Sequence, residues 1–192
     1  MRIPDTFPDP VFYDKKVADI NVDLTALEWI EYVHPIVQIG VDEEGTFPEV
    51  YRNDGKKKSE RVYPHGNSIS FFEMNTPITC LNESDIYLCE LTLIVWADLT
   101  KVYPLTDYNY TSTLIKEVVN VIESHSGYDL QIDTTDVFSN YSELEKIENQ
   151  NTMLPNTAFK ITFNTDIKIC AGANEGVTLD NEDNESLGIL NN

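Results

Sequence analysis

Ile86-Tyr87-Leu88-Cys89-Glu90-Leu91-Thr92-Leu93-Ile94-Val95-Trp96-Ala97 decides the fold class. Its odd positions (Tyr87, Cys89, Leu91, Leu93, Val95, Ala97) are all apolar or aromatic. A strand would therefore turn one unbroken apolar face to a core. Its even positions mix Glu90 and Thr92 with Ile86, Leu88, Ile94 and Trp96. That pattern belongs to an inner strand covered on both faces at one end, near Ile94 and Trp96. A second segment, Phe159 to Ile169, sets Phe159, Ile161, Phe163, Ile167 and Ile169 on one face and Lys160, Thr162, Asn164, Asp166 and Lys168 on the other. At about 3.3 Å per residue it runs roughly 36 Å, a length at which a bulge near Asn164-Thr165-Asp166 is expected.

Between these strands the period changes. Leu114, Val118, Val121 and Ile122 recur at helical spacing, widened by Ile115 and Val119, which predicts a helix over 110–124. Many of its residues are β-branched and form helices weakly, so it depends on packing. Gly127 stands just past its end, where a left-handed residue is favoured. Tyr128, Leu130 and Ile132 then alternate with Asp129, Gln131 and Asp133 as a short strand. Tyr141 to Glu148 reads as a short surface helix.

Upstream, Ser68 to Met74 reads as a strand. Ile36 to Val41 and Phe47 to Tyr51 form a hairpin across the turn cluster Asp42-Glu43-Glu44-Gly45. A short helix is predicted from Asp23, with Thr25 and Glu28 as a capping box and His34-Pro35 as its stop. Residues 1–22 read as an extended N-terminal arm, since Pro4, Pro8 and Pro10 oppose helix and ladder alike. Residues 23–170 form a single domain. Residues 171–192 read as a flexible acidic tail, with Glu175, Asp180, Glu182, Asp183 and Glu185, no base, and the small apolar hook Leu187, Ile189 and Leu190. The expected class is α+β: a mixed, mainly antiparallel sheet with one long helix packed on it and a short N-terminal helix.

Charge limits the function classes. The chain has 192 residues, with 13 Lys and Arg against 33 Asp and Glu, for a formal net charge of -20. Nucleic-acid binders cluster basic residues, so this balance argues against a large phosphate-binding surface. The main basic cluster, Lys56-Lys57-Lys58 with Arg61, sits on a turn-rich stretch and reads as a solvated loop tip without aromatics to stack bases. No apolar run approaches the roughly 20 residues of a bilayer span, and no signal peptide is visible near the start, so no membrane is expected. Cys80, Cys89 and Cys170 have neither disulfide-framework nor zinc-site spacing and read as reduced, buried thiols.

Chemistry-bearing patterns are missing. The sequence has no G-x-S-x-G, Walker loop, H-E-x-x-H or G-x-G-x-x-G. His34, His65 and His125 have no acid or nucleophile at telling spacing. Asp42-Glu43-Glu44 and Asp180 to Glu185 do not match a calcium loop and read as solvated acids. Trp29 and Trp96 read as core fillers rather than pocket walls. No catalytic, cofactor-binding or metal-ligating residue is predicted, and no cofactor.

The order of short helix, strands, long strand, helix and closing strand, with Glu90-Leu91-Thr92-Leu93-Ile94-Val95-Trp96-Ala97 leading toward the helix at 110–124 and Ala158 to Ile169 closing, resembles the tail-terminator and head–tail joining (neck ring) proteins of tailed bacteriophages. The resemblance covers roughly residues 25–170. It departs from the family in the long connection from Leu99 to Asn109 and in the acidic tail. It implies a virion structural protein, assembled in the host cytoplasm, that forms a homo-oligomeric ring at the head–tail junction. Its partners would be itself and neighbouring neck or tail proteins, with genomic DNA passing through the lumen without specific binding. An acidic lumen repels phosphate, which suits that role. Phe7, Phe12 and Tyr13 in the arm are the expected assembly contacts. Two other classes fit the same sequence: an acidic DNA mimic or inhibitor, and a small enzyme or ligand-binding domain with a site built from scattered residues.

Overall fold

The computed structural model describes residues 13–52, 58–74, 79–80, 86–103, 110–145 and 155–168. Its elements in chain order are α1 (Tyr13–Thr25), β1 (Tyr32–Ile36), β2 (Gln38–Val41), β3 (Thr46–Arg52), β4 (Lys58–Arg61), β5 (Ser68–Met74), β6 (Thr79–Cys80), β7 (Ile86–Asp98), α2 (Leu99–Val102), α3 (Tyr110–Ser124), β8 (Gly127–Asp133), α4 (Ser142–Glu145) and β9 (Asn156–Lys168). The fold is α+β. The main sheet runs β1-β5-β7-β9-β8, and β6 joins β7 at its start. Among the described strands only β1 and β5 pair in parallel; the other pairs of this sheet are antiparallel. A second sheet, β2-β3-β4, is antiparallel throughout.

The central ladder is β7 against β9. It holds thirteen consecutive pairs, from Ile86 opposite Lys168 to Asp98 opposite Asn156, without a shift. The expected bulge at Asn164-Thr165-Asp166 is absent from this ladder. The irregularity lies on the other side of β9, in β8, between Tyr128 and Gln131. There Asp129 takes φ 54°, and β8 carries one residue more than β9 across the step.

One face of the sheet carries Cys89, Leu91, Leu93 and Val95 beside Phe159, Ile161, Phe163 and Ile167, all buried. Leu114, Val118 and Ile122 of α3 close over them, together with Val17, Ile20 and Leu24 of α1. Val121 is only half-buried, one position off the centre of the stripe. The opposite face is covered at one end, as the even positions of β7 require. Ile94, Trp96, Ile69, Phe71 and Ala158 pack there against Val37, Val50 and Val62 around the small sheet. Val137, Phe138, Tyr141 and Leu144 complete this second core. The segment expected as a surface helix from Tyr141 is therefore a plug. Of its described residues Ser142–Glu145 are helical, Tyr141 and Leu144 are fully buried, and residues 146–148 lie outside the described residues.

The N-terminal reading needs correction. Residues 13–22, expected as extended arm, are helical, and α1 ends at Thr25 where a helix was expected to begin. Tyr13, Val17, Ile20 and Leu24 recur at helical spacing from just beyond the last proline, and the core takes them. Thr25 is no capping residue: its hydroxyl donates to Val22 O at 2.6 Å in the last turn. His34-Pro35 falls within β1, a border strand, and the ladder with β5 loses regularity between Val33 and Ile36, where Pro35 has no N–H to give. Gly127 opens β8, and Ser126 takes the left-handed turn instead (φ 61°). The glycine is needed for a different reason: a Cβ there would collide with Ile122 Cγ2. Residues 1–12, 53–57 and the tail at 171–192 lie outside the described residues.

Phe163 meets Phe72 edge-to-face, ring centroids 6.5 Å apart, and is 1% exposed. Phe163→Ala is expected to cost about 3–5 kcal/mol in urea unfolding. A loss below about 0.5 kcal/mol, the range of surface changes, would contradict this core.

Candidate functional site

Three places in the fold combine polar groups with apolar surroundings. The first is a cleft beside Trp29. The chain leaving α1 turns at Ala26 N–H to Asp23 O (3.1 Å) and Ile30 N–H to Leu27 O (3.0 Å), which brings Glu28 and Trp29 against the loop holding Asn67. Ser68 pins this turn, donating to Trp29 O at 2.6 Å and accepting from Glu31 N–H at 2.8 Å. A cleft of about 550 Å³ results, adjoining a smaller one of about 230 Å³ walled by Lys101, Val102 and Tyr103; both share Glu28, Trp29 and Asn67. The Trp29 indole donates to Glu117 Oε2 of α3 at 2.7 Å. Tyr103 stacks on Tyr110 at 4.5 Å. Lys101 is held by Gly66 O (2.8 Å) and Asp98 (3.2 Å). Trp29 thus fills core and edges a cleft at once, and Trp96 is buried in the second core.

The second place is the border of the second core. Glu73 of β5 points to that face, opposite Thr92, whose hydroxyl meets that of Thr162 at 2.8 Å. Glu73 is 7% exposed. Asn140 Nδ2 donates to its Oε2 at 3.1 Å. Tyr141 Oη lies beside the same carboxylate, yet neither it nor Glu73 Oε1 has a partner in hydrogen-bonding geometry. Burial raises the Glu73 carboxyl above its ordinary range, against the opposing pull of Tyr141, Asn140 and Lys160. Burial, followed by Glu73, raises the Tyr141 phenol in turn.

The third is the Arg61 network. Its guanidinium lies 3.8 Å from the centroid of the Phe47 ring, binds Glu143 at 3.2 and 3.3 Å, and pairs with Asp42. Asp42 also accepts from Glu44 N–H (2.8 Å) and Gly45 N–H (3.2 Å) at the hairpin turn, and these bonds with Arg61 hold its carboxyl below the usual range. Arg61 therefore clamps α4 to the hairpin, and Asp42 is a turn residue. His125 has an acid partner that spacing could not reveal: its Nε2 meets Asp23 Oδ2 at 2.8 Å, tying the ends of α1 and α3. Cys89 is buried, and desolvation with Glu90 nearby pushes its thiol up to about 11, which makes it a poor nucleophile.

Among the described residues no group of three or more His, Cys, Asp or Glu side chains is placed to hold a metal ion. No helix of the described residues is long and apolar enough to cross a membrane. Of the expected assembly residues, Tyr13 is half-buried at the head of α1 against its own core, and Phe7 and Phe12 lie outside the described residues. No family model, curated protein or solved structure matches the chain.

Glu73 makes a pH dependence with a definite sign. Its folded-state carboxyl titrates above the unfolded value near 4.3, so the stability it contributes is complete below that value and declines as pH rises through the folded one. Glu73→Gln is expected to raise stability near pH 8 by about 1–2 kcal/mol, the scale of a buried unsatisfied group. It should also flatten this part of the profile. Urea titrations from pH 4 to about 8 check it; a variant less stable than the parent at the upper end would refute it.

Proposed function

We propose that the protein is a structural subunit of a homo-oligomeric ring in the neck or tail of a tailed phage, acting by shape and charge. The observation that carries the reading is the pairing of two thirteen-residue strands, β7 and β9, under the fifteen-residue helix α3, which lies between them in sequence. This is the arrangement on which the resemblance to tail-terminator and head–tail joining proteins rests. The net charge of -20 supports it from a second side. A lumen lined by acids lets DNA slide past without being gripped. In this role the chain is not an enzyme. Its partners are other copies of itself and adjoining neck or tail proteins, in a virion assembled in the host cytoplasm. The cleft beside Trp29 is the feature that favours the rival reading, a ligand-binding domain.

Like charge opposes such a ring. Six copies carry a formal charge of about -120, six times the -20 of one chain. Salt shortens the reach of this repulsion to about 8 Å under physiological conditions. Light scattering on the full chain should therefore show assembly that strengthens with added salt. A monomer at every salt concentration, with or without a purified neck partner, would end the ring reading. Truncation can probe the arm only as far as residue 12, because residue 13 begins α1 and Val17 belongs to the core.

A further inference from the structure

Strand β2 is a border strand of the small sheet, and β3 is its only strand neighbour among the described residues. The pairing fixes where its backbone points. Asp42 N–H donates to Gly45 O at the turn (3.0 Å), and the register continues with Gly40 opposite Phe47 and Gln38 opposite Glu49. Antiparallel ladders alternate hydrogen-bonded and non-bonded pairs. Residues 38, 40 and 42 therefore bond inward, and Ile39 and Val41 turn their N–H and C=O outward. Pro48, opposite Ile39, agrees: its carbonyl accepts from Val62 on the far side at 2.9 Å. The side chains of Ile39 and Val41 are exposed as well, by 56% and 74%. Gln38-Ile39-Gly40-Val41 has none of the lysine, proline or bulge devices that blunt an open edge.

The sequence ahead of α1 has the complementary property. In Met1-Arg2-Ile3-Pro4-Asp5-Thr6-Phe7-Pro8-Asp9-Pro10-Val11-Phe12 all three prolines occupy even positions. Along an extended chain successive residues turn N–H and C=O to opposite edges. The odd edge (Ile3, Asp5, Phe7, Asp9, Val11) keeps every donor, whereas the even edge lacks three. Such a segment adds to a sheet through one edge and ends it there. Added antiparallel, the segment would set Ile3, Phe7 and Val11 on the face of Ile39 and Val41 as cross-strand neighbours. The segment bears only Arg2 against Asp5 and Asp9, so it adds little repulsion, whereas the tail at 171–192 bears five acids and no base.

We propose that residues 1–12 of one copy add as a strand to β2 of the next, joined through the odd-numbered residues. The donor is a second copy, as the self-assembly in the ring reading requires. α1 packs against β1, the border strand that precedes β2 by one residue, so mixed-isotope crosslinks are what separate a neighbour's arm from the subunit's own. The contact is head-to-tail: each copy gives an arm and receives one, the arrangement that closes into a ring. The proposal rests on the self-assembly part of the ring reading, and the test separates the two.

Proline placement supplies that test. In the full chain, Asp5→Pro puts a proline on the donor edge and Thr6→Pro puts one on the edge that already has three. Light scattering should show association weakened about tenfold by Asp5→Pro, the scale of one lost interchain hydrogen bond, although the change removes a negative charge. Thr6→Pro should stay within about twofold of the parent. Val41→Pro should weaken association from the receiving side, with an unchanged urea midpoint showing that its subunit still folds. A photo-crosslinking residue at position 7, in assemblies mixed from ordinary and heavy-isotope-labelled copies, should join peptides of different isotope at β2. Equal effects of the two arm prolines, no effect of Val41→Pro, or crosslinks confined to single copies would overturn this contact and leave the ring standing. A wild-type monomer at every salt concentration would overturn both.

Discussion

The β7–β9 ladder sets everything else in this protein. Because side chains alternate with a period of two, a slip of one residue would carry Leu91, Leu93 and Val95 away from α3 and bring Thr92, Ile94 and Trp96 onto it. Both faces resist that slip. Leu114, Val118 and Ile122 demand the odd residues on one side, and Phe138, Tyr141 and Val50 demand Ile94 and Trp96 on the other. A strand with one wet face has its register specified once; β7 has it specified twice. The helices and the small sheet are placed by which face of this ladder they cover.

The second core is the smaller one and is held by more varied means. Its cover comes from distant parts of the chain: a hairpin near residue 45, a plug near residue 140 and the sheet itself. Thr46 and Ser142 exchange hydrogen bonds of 2.8 and 2.9 Å across that junction, and Arg61 fastens Glu143 to the hairpin beside them. Glu73, Asn140 and the Thr92–Thr162 pair mark where the cover stops. Polar groups here limit the reach of the apolar core and leave the rest of that face to Glu90, Asn164 and Asp166.

What the sequence made legible follows from period and length. β7, β9 and α3 are long enough for two-fold or helical repetition to declare itself, and their faces stand where the pattern puts them. α1 was hidden because three prolines lie just ahead of it and drew the extended reading past Val17, a core residue. The plug at 137–145 is too short to show a period, so Tyr141 and Leu144 gave no sign of burial. Candidate sites were less legible still. Glu73 is one acid in a strand until Asn140 and Tyr141 close over it, and the partnership of His125 with Asp23 spans two helices. The hairpin was readable from Gln38 onward, whereas Ile36, expected in it, belongs to β1 of the main sheet, and only the sheet order makes β2 a border.

The ladder also has a consequence in time. β7 is synthesised well before β9: Leu93 must wait for Ile161, and Trp96 for Ala158. Until then a strand apolar on both faces at one end is paired only with β5 and, at its start, β6 among the described strands. Such non-local pairing is slow to form, and an open strand edge invites pairing with another chain. The net charge of -20 on each chain opposes such pairing between copies, finished or unfinished alike.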